Sequence, residues 1–323
     1  MALETTLTSL ATLTHASLVQ PVLIKALSEK SGRYRNCRQF DLRGQSTSAA
    51  KIPTQTAWWG SPADHGASVD TELNTSEATP LGNTQQSASS VTITATEFGV
   101  QFQLSDAVQE DSVSGIDVYQ TITGSMLGAM LLAWESDYMA LASSLSQSVG
   151  TTNTALTIAN MVAAQTRMRT DGVDCDAMEY ILDNIAANAV ETAFIATSTS
   201  AAVYAHAVDR ILAWNPSMGN GMGANRMVST FRGYPVWTTG MTTTANAAVD
   251  ANSMLVCPST AYNDEQGATT HGMAIKRLPR LRSDASSAIA IGSRTTIMVL
   301  DSKVGFGEIQ DRAGTYILAK ATA

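Results

Sequence analysis

The amino-acid sequence predicts an α+β fold. Three patterns in it carry that prediction. Residues 91–104 alternate apolar and polar side chains as half-buried strands do. Residues 116–145 repeat apolar side chains at helical spacing over an unusual length. Beyond residue 178, strand and helix signals mix without the strict βαβ order of a parallel sheet. At 323 residues, with 44% hydrophobic content, the chain can bury one large core or two ordinary ones.

Residues 3–30 read as a loosely amphipathic helical arm, with Leu3, Leu7, Leu10, Leu13, Val22, Leu23 and Leu27 on its apolar side. Pro21 interrupts it and Ser31-Gly32 ends it. Residues 44–90 are rich in Gln, Ser, Thr, Gly and Pro, and their large apolar residues are few: Ile52, Trp58, Trp59, Val69, Leu73 and Leu81. Such a segment cannot make a core of its own. It reads either as a linker or as a long extended hairpin ordered by lying across another subunit. Val91, Ile93 and Ala95 then alternate with threonines, and Phe98, Val100, Phe102 and Leu104 alternate in the opposite phase. The switch at Glu97-Phe98-Gly99 predicts a bulge or bend that exchanges the buried face.

Ser114-Gly115-Ile116-Asp117 has the form of a helix capping box. Ile116, Tyr119, Ile122, Met126, Met130, Trp134, Tyr138, Leu141 and Leu145 follow at helical spacing, stopping before Gly150. About 33 residues at 1.5 Å each predict a rod roughly 50 Å long. Its acidic surface lacks the mixed charges of a coiled coil, so the rod is expected to pack along a sheet. Helices are expected at 156–170, 185–195 and 200–213, a strand at 178–182, and a Gly/Asn loop at 215–225. Phe231 to Trp237 reads as a turn entering a strand, and Met254 to Val256 as another. The tail offers strands at 296–300 and 316–319, with 304–309 between them.

Only 15% of the residues are charged, against roughly 25% in an ordinary globular protein. A sparsely charged surface is one that contacts other subunits. The net charge of −8 excludes the basic footprint of a sequence reader of nucleic acid. Charge is also segregated. Seven basic residues fall between Lys25 and Lys51, whereas residues 52–166 hold eleven acids and no Lys or Arg. A second basic cluster contains Lys276, Arg277, Arg280 and Arg282. This segregation reads either as solvated faces or as a basic arm docking on an acidic neighbour, which with identical subunits is another copy. No apolar run approaches the roughly 20 residues that span a bilayer, and the amino terminus has no signal-peptide pattern. The odd, widely spaced Cys37, Cys175 and Cys257 fit reduced thiols in a cytoplasm.

The chemistry-bearing residues form no catalytic or metal constellation. The four histidines share no ligand spacing with the cysteines. The Gly219–Gly223 stretch lacks the form of a dinucleotide or phosphate loop. Ser48-Ala49-Ala50-Lys51 matches a penicillin-binding motif by two residues only. Asp171, Asp174, Asp176 and Glu179 depart from a calcium loop. The expectation is therefore no enzyme, no cofactor and no metal.

The order of elements resembles the major capsid proteins of tailed double-stranded DNA bacteriophages, the Hong Kong 97 fold. Thr94 to Gly99 with Leu104-Ser105-Asp106 is similar to that family's strand before its spine helix. Glu179 to Asn184 is similar to its A-domain opening, Phe231 to Val236 to its Gly-aromatic-Pro-Val strand entry, and Val304 to Glu308 with Thr315 to Leu318 to its closing strands. The resemblance implies an N-terminal arm over 1–43, an E-loop over 44–90 and a P-domain over 91–165 with its spine helix at about 114–148. An A-domain over 166–289 and C-terminal P-domain strands over 290–323 complete it.

It further implies a homo-oligomer of hexamers and pentamers that forms an icosahedral head shell in the host bacterial cytoplasm. The shell encloses DNA without sequence-specific binding and involves a portal protein but no membrane. Because the arm begins within a few residues of Met1, a separate scaffolding protein or unaided assembly is expected in place of a cleaved extension; a decoration protein is left open. With no lysine from Ile52 to Ser90, a Lys–Asn weld between subunits is not expected unless Lys51 serves. The expected inter-subunit contacts set Arg33, Arg35, Arg38 and Arg43 of the arm against the acidic hairpin (Asp64, Asp70, Glu72 and Glu77) or the spine region of adjacent subunits, and Trp58 and Trp59 find cover on a neighbour. The alternative is an encapsulin-like shell enclosing protein cargo.

Overall fold

The computed structural model describes residues 32–55, 88–105, 115–170, 178–198, 226–240, 242, 244–246, 249–258, 269–284 and 295–320. The expected arm helix at 3–30, the capping Ser114, the helix at 200–213 and the loop at 215–225 lie outside them.

Described residues build two sheets, a ribbon and three α-helices. The four-stranded sheet has the order β1 (Arg38–Asp41), β11 (His271–Asp284), β12 (Thr295–Glu308), β4 (Thr96–Ser105). The seven-stranded sheet runs β5 (Ser148–Val149), β13 (Gly314–Lys320), β10 (Asp250–Val256), β6 (Glu179–Asp183), β8 (Tyr234–Thr239), β7 (Arg226–Phe231), with β9 (Thr244–Ala245) also on β10. β2 (Ala49–Gln55) and β3 (Ala88–Thr94) form an antiparallel ribbon from Ala49↔Thr94 out to Gln55↔Ala88. The polar segment is therefore anchored as a hairpin base.

Helix α1 (Gly115–Ala140) supplies the spine of the core. Met126, Met130, Trp134 and Tyr138 recur every four residues and are buried, as their spacing predicts. They pack against Leu104, Met298, Leu300 and Val304 of the four-stranded sheet and against Ile181, Met254 and Val256 of the other. Helices α2 (Ile158–Thr170) and α3 (Asn184–Ser198) cover the opposite face of the seven-stranded sheet. There Met161, Met168 and Val190 meet Tyr180, Leu182 and Ile317. All five residues of β6 are buried, because β10 and β8 flank the strand and helices cover both its faces.

The helix is shorter than its spacing suggests: 26 residues, about 39 Å at 1.5 Å each, ending at Ala140 and not near 148. A tight helical turn, Leu141–Ser144, follows. Leu145 still reaches the same core from non-helical backbone, and Ser148–Val149 is taken as a parallel partner of β13. Gly150 permits this with φ +103; a Cβ there would strike the Leu318 carbonyl.

The face exchange expected at 97–99 arises as the chain leaves the ribbon at Thr94 and joins β12 from Thr96. Arg232 (φ 52) and Gly233 (φ 88) form the two-residue turn between β7 and β8. Residues 296–300 and 304–309 do not make separate segments, because β12 runs unbroken from Thr295 to Glu308. β11 lies in the four-stranded sheet although its residues fall within 166–289, and β13 in the seven-stranded sheet although it falls within 290–323. Pairing across the chain sets the layers, and position along it does not.

Candidate functional site: charged surfaces around the amino-terminal segment

Arg33 opens a single tight turn, Arg33–Asn36, that docks on the central strand β6. Its guanidinium lies 3.2 Å from Glu179 Oε2, with the two side chains 12% and 4% exposed. Its Cζ sits 3.4 Å above the Trp237 ring. Asn36 Nδ2 donates to both Glu179 oxygens at 2.8 Å. Burial pushes the Glu179 carboxyl up, against the pull of Arg33 and Asn36. Tyr34, held edge-on to Trp134 at 5.5 Å, locks the turn to α1. Cys37 is buried beneath it, and burial pushes its thiol well up, so it is an inert thiol and not a nucleophile.

Arg33 thus commits its charge within its own subunit. Arg43 does likewise at the surface, gripping Asp41 through Nε at 2.9 Å to both oxygens and a second nitrogen at 2.5 Å. That grip draws the Asp41 carboxyl down to about 2. Arg35 is exposed, and Arg38 lies 5.6 Å from the Phe40 ring. Trp58, Trp59, Asp64, Asp70, Glu72 and Glu77 lie outside the described residues.

A second charged surface forms on β11 and β12. Asp301 receives Arg277 at 2.7 Å, Arg282 at 3.1 Å and Arg280 at 3.6 Å. Glu97 of β4 lies 3.9 Å from both Arg277 and Lys303. The sequence showed the basic cluster but not its focus, because Asp301 comes from the neighbouring strand. Lys276 of the same cluster turns elsewhere and holds the Leu42 and Gln45 carbonyls.

His271 starts β11 edge-on to Tyr138 at 5.4 Å. It is 2% exposed, and neither ring nitrogen has a hydrogen-bond partner among the described residues. Burial depresses its pKa to about 3. A histidine depressed in this way contributes stability above its unfolded value of 6.5, and loses it as pH falls from there toward 3. Glu179, raised by burial, works with the opposite sign and favours the folded state as it takes up its proton. Urea unfolding between pH 7 and 4 is expected to show the His271 share as a slope of up to about 1.4 kcal/mol per pH unit. His271→Phe, which keeps the ring and removes the titration, should flatten it.

Among the described residues no group of three or more His, Cys, Asp and Glu is placed to hold a metal ion. No described helix is long and apolar enough to cross a membrane.

No protein-family model and no curated protein matches the chain by sequence. Solved structures do match it along nearly its whole length. The acid-stable capsid of the Helicobacter pylori bacteriophage KHP30 has a TM-score of 0.60 at 14% identity and covers 90% of each chain. The capsid of the cyanophage P-SCSP1u gives 0.56 at 11%, covering 89% of this chain and 87% of that one. The SrpI encapsulin complex of Synechococcus elongatus gives 0.58 at 10%, covering 90% and 87%. The chain therefore has the fold of capsid-type shell proteins. Among those shells, its likeness runs chiefly to bacteriophage capsids.

Proposed function

We propose that this chain is the major capsid protein of a tailed double-stranded DNA bacteriophage. It assembles through hexamers and pentamers into an icosahedral head shell, in the cytoplasm of its bacterial host. The observation that carries the reading is the shared fold over 90% of both chains with a phage capsid. In this reading residues 1–43 are the arm, 44–90 the E-loop whose base is the β2–β3 ribbon, and α1 the spine helix. The A-domain and closing strands follow at 166–289 and 290–323. In this reading Arg35 and Arg38 of the arm face a neighbour, and Arg33 and Arg43 hold the arm in shape. Acids 64–77 and Trp58-Trp59 lie against adjacent subunits. A portal and a separate scaffolding protein are the expected partners. The role is structural and not enzymatic, since a shell needs distributed contact area more than any reactive group.

The SrpI neighbour supports a second reading, a compartment enclosing protein cargo. Electron microscopy of the purified chain, alone and with its scaffold, tests the shell. Closed polyhedra, sheets or tubes of hexamers are expected, and a monomer that never closes would overturn it. Particles from infected cells with the absorbance ratio of packed DNA separate the phage head from the cargo compartment.

A further inference from the structure

Arg33 meets Glu179, Arg43 meets Asp41, and Arg277, Arg280 and Arg282 meet Asp301. The carbonyl end of α2 differs. Arg167, Arg169 and Arg232 are exposed there, and each is held by a neutral oxygen. Arg167 donates to the Ser148 carbonyl, Arg169 to the Tyr234 hydroxyl at 3.1 Å, and Arg232 to Gln165 Oε1 at 3.4 Å. Among the described residues none of the three has an acidic partner. Gln165 and Arg169 lie four positions apart, on one side of α2, so the guanidiniums of Arg169 and Arg232 share a patch. Burial pushes the nearby Tyr180 hydroxyl up, and Arg232 and Arg169 both pull against it. Cations suit the carbonyl end of a helix for stability alone, which accounts for Arg167 and Arg169. It does not account for Arg232, which takes φ 52 in a two-residue turn, where Asn or Gly is favoured. The turn gives up that preference and sets a guanidinium beside Arg169.

A guanidinium oriented by a neutral acceptor keeps its full charge, and its planar fork matches a phosphate through two N–H groups. The exposed large apolar side chains described are Phe102, Leu132 and Leu278, on β4, α1 and β11, so none lies in this patch. A protein contact is built on such a dry anchor, whereas a phosphate backbone needs only charge and placed donors. We propose that Arg169 and Arg232, with Tyr234 between helix and turn, seat the phosphate backbone of duplex DNA without reading its sequence. The net charge of −8 does not oppose this, because at physiological salt charges further off than about 8 Å are largely screened. The inference rests on the shell reading for the source of the duplex, and adds the part of the subunit that touches it.

Anisotropy of a fluorescein-labelled duplex of about 20 base pairs, titrated with the unassembled full chain across a range of salt, tests it. Arg169→Gln with Arg232→Asn is expected to weaken binding about tenfold in about 50 mM salt. The slope of log affinity against log salt should fall by roughly 1.8, which is two phosphate contacts at about 0.9 each. Asn suits the positive φ of the turn, so the urea midpoint should not drop, and the particle yield should stay close to that of the parent. Arg43→Gln, which removes a cation already neutralised by Asp41, should leave affinity and slope unchanged.

An unchanged slope in the double variant would overturn the inference, as would a parent that binds no duplex. So would lost particle yield with unchanged binding, which would make the patch a contact between subunits. A parent that binds the duplex yet never closes into particles would sink the shell reading and leave the phosphate site standing.

Discussion

Replacing Trp134 with alanine is expected to cost the subunit about 3–5 kcal/mol, the range for emptying a large aromatic site in a packed core. Trp134 is 2% exposed in the middle of α1. It shares its cluster with residues of both sheets, and it presents its ring to the edge of Tyr34. The substitution therefore opens a cavity and loosens the docked amino-terminal turn together. Urea unfolding of the unassembled subunit measures the first effect, and limited proteolysis near Arg33 to Arg38 the second. Leu132→Ala on the same helix, at a side chain 40% exposed, should change stability by no more than about 1 kcal/mol. Equal losses at the two positions would mean that α1 does not hold the layers together as described.

Arg33→Ala is expected to cost about 3 kcal/mol near pH 7, because it strands the buried Glu179 without its cation. Asn36 continues to donate to both carboxylate oxygens, which keeps the loss at the lower end for a broken buried pair. The loss should shrink at pH 5. Without Arg33 the carboxyl is raised further, so the folded variant takes up a proton more readily than the unfolded chain and gains stability as pH falls through that value. Replacing both partners with methionine should recover most of the loss, since burying two apolar side chains avoids the desolvation of a charge pair. A loss independent of pH would show that Arg33 matters through its stacking on Trp237 and not through its charge.

Much of this molecule was legible from spacing alone. The face of α1 followed from Met126, Met130, Trp134 and Tyr138, and the half-buried strands from the alternation of 91–104. Loss of regular alternation hid β11, where Lys276, Arg277, Arg280 and Arg282 surround a proline and read as a polar, broken segment. Its strand state comes from fourteen residues laid against β12 and not from its own pattern. The end of α1 was obscured for a related reason. Leu141 and Leu145 continue the helical spacing, but Leu145 meets the core just as well from a chain that has already left the helix to add β5 beside β13.

The charged residues divide in the same way. Composition and segregation of charge raised the expectation of contacts with other subunits, and the order of the elements indicated the shell fold. Where each arginine commits its charge was decided only in three dimensions. Arg33 finds Glu179 across 146 positions of sequence, Arg43 finds Asp41 two residues away, and three arginines of β11 converge on Asp301 of the next strand. Periodicity is a local property because backbone geometry repeats every two or 3.6 residues. A salt bridge depends on distance in space, and nothing near Arg33 in the chain names the strand that will lie beside it.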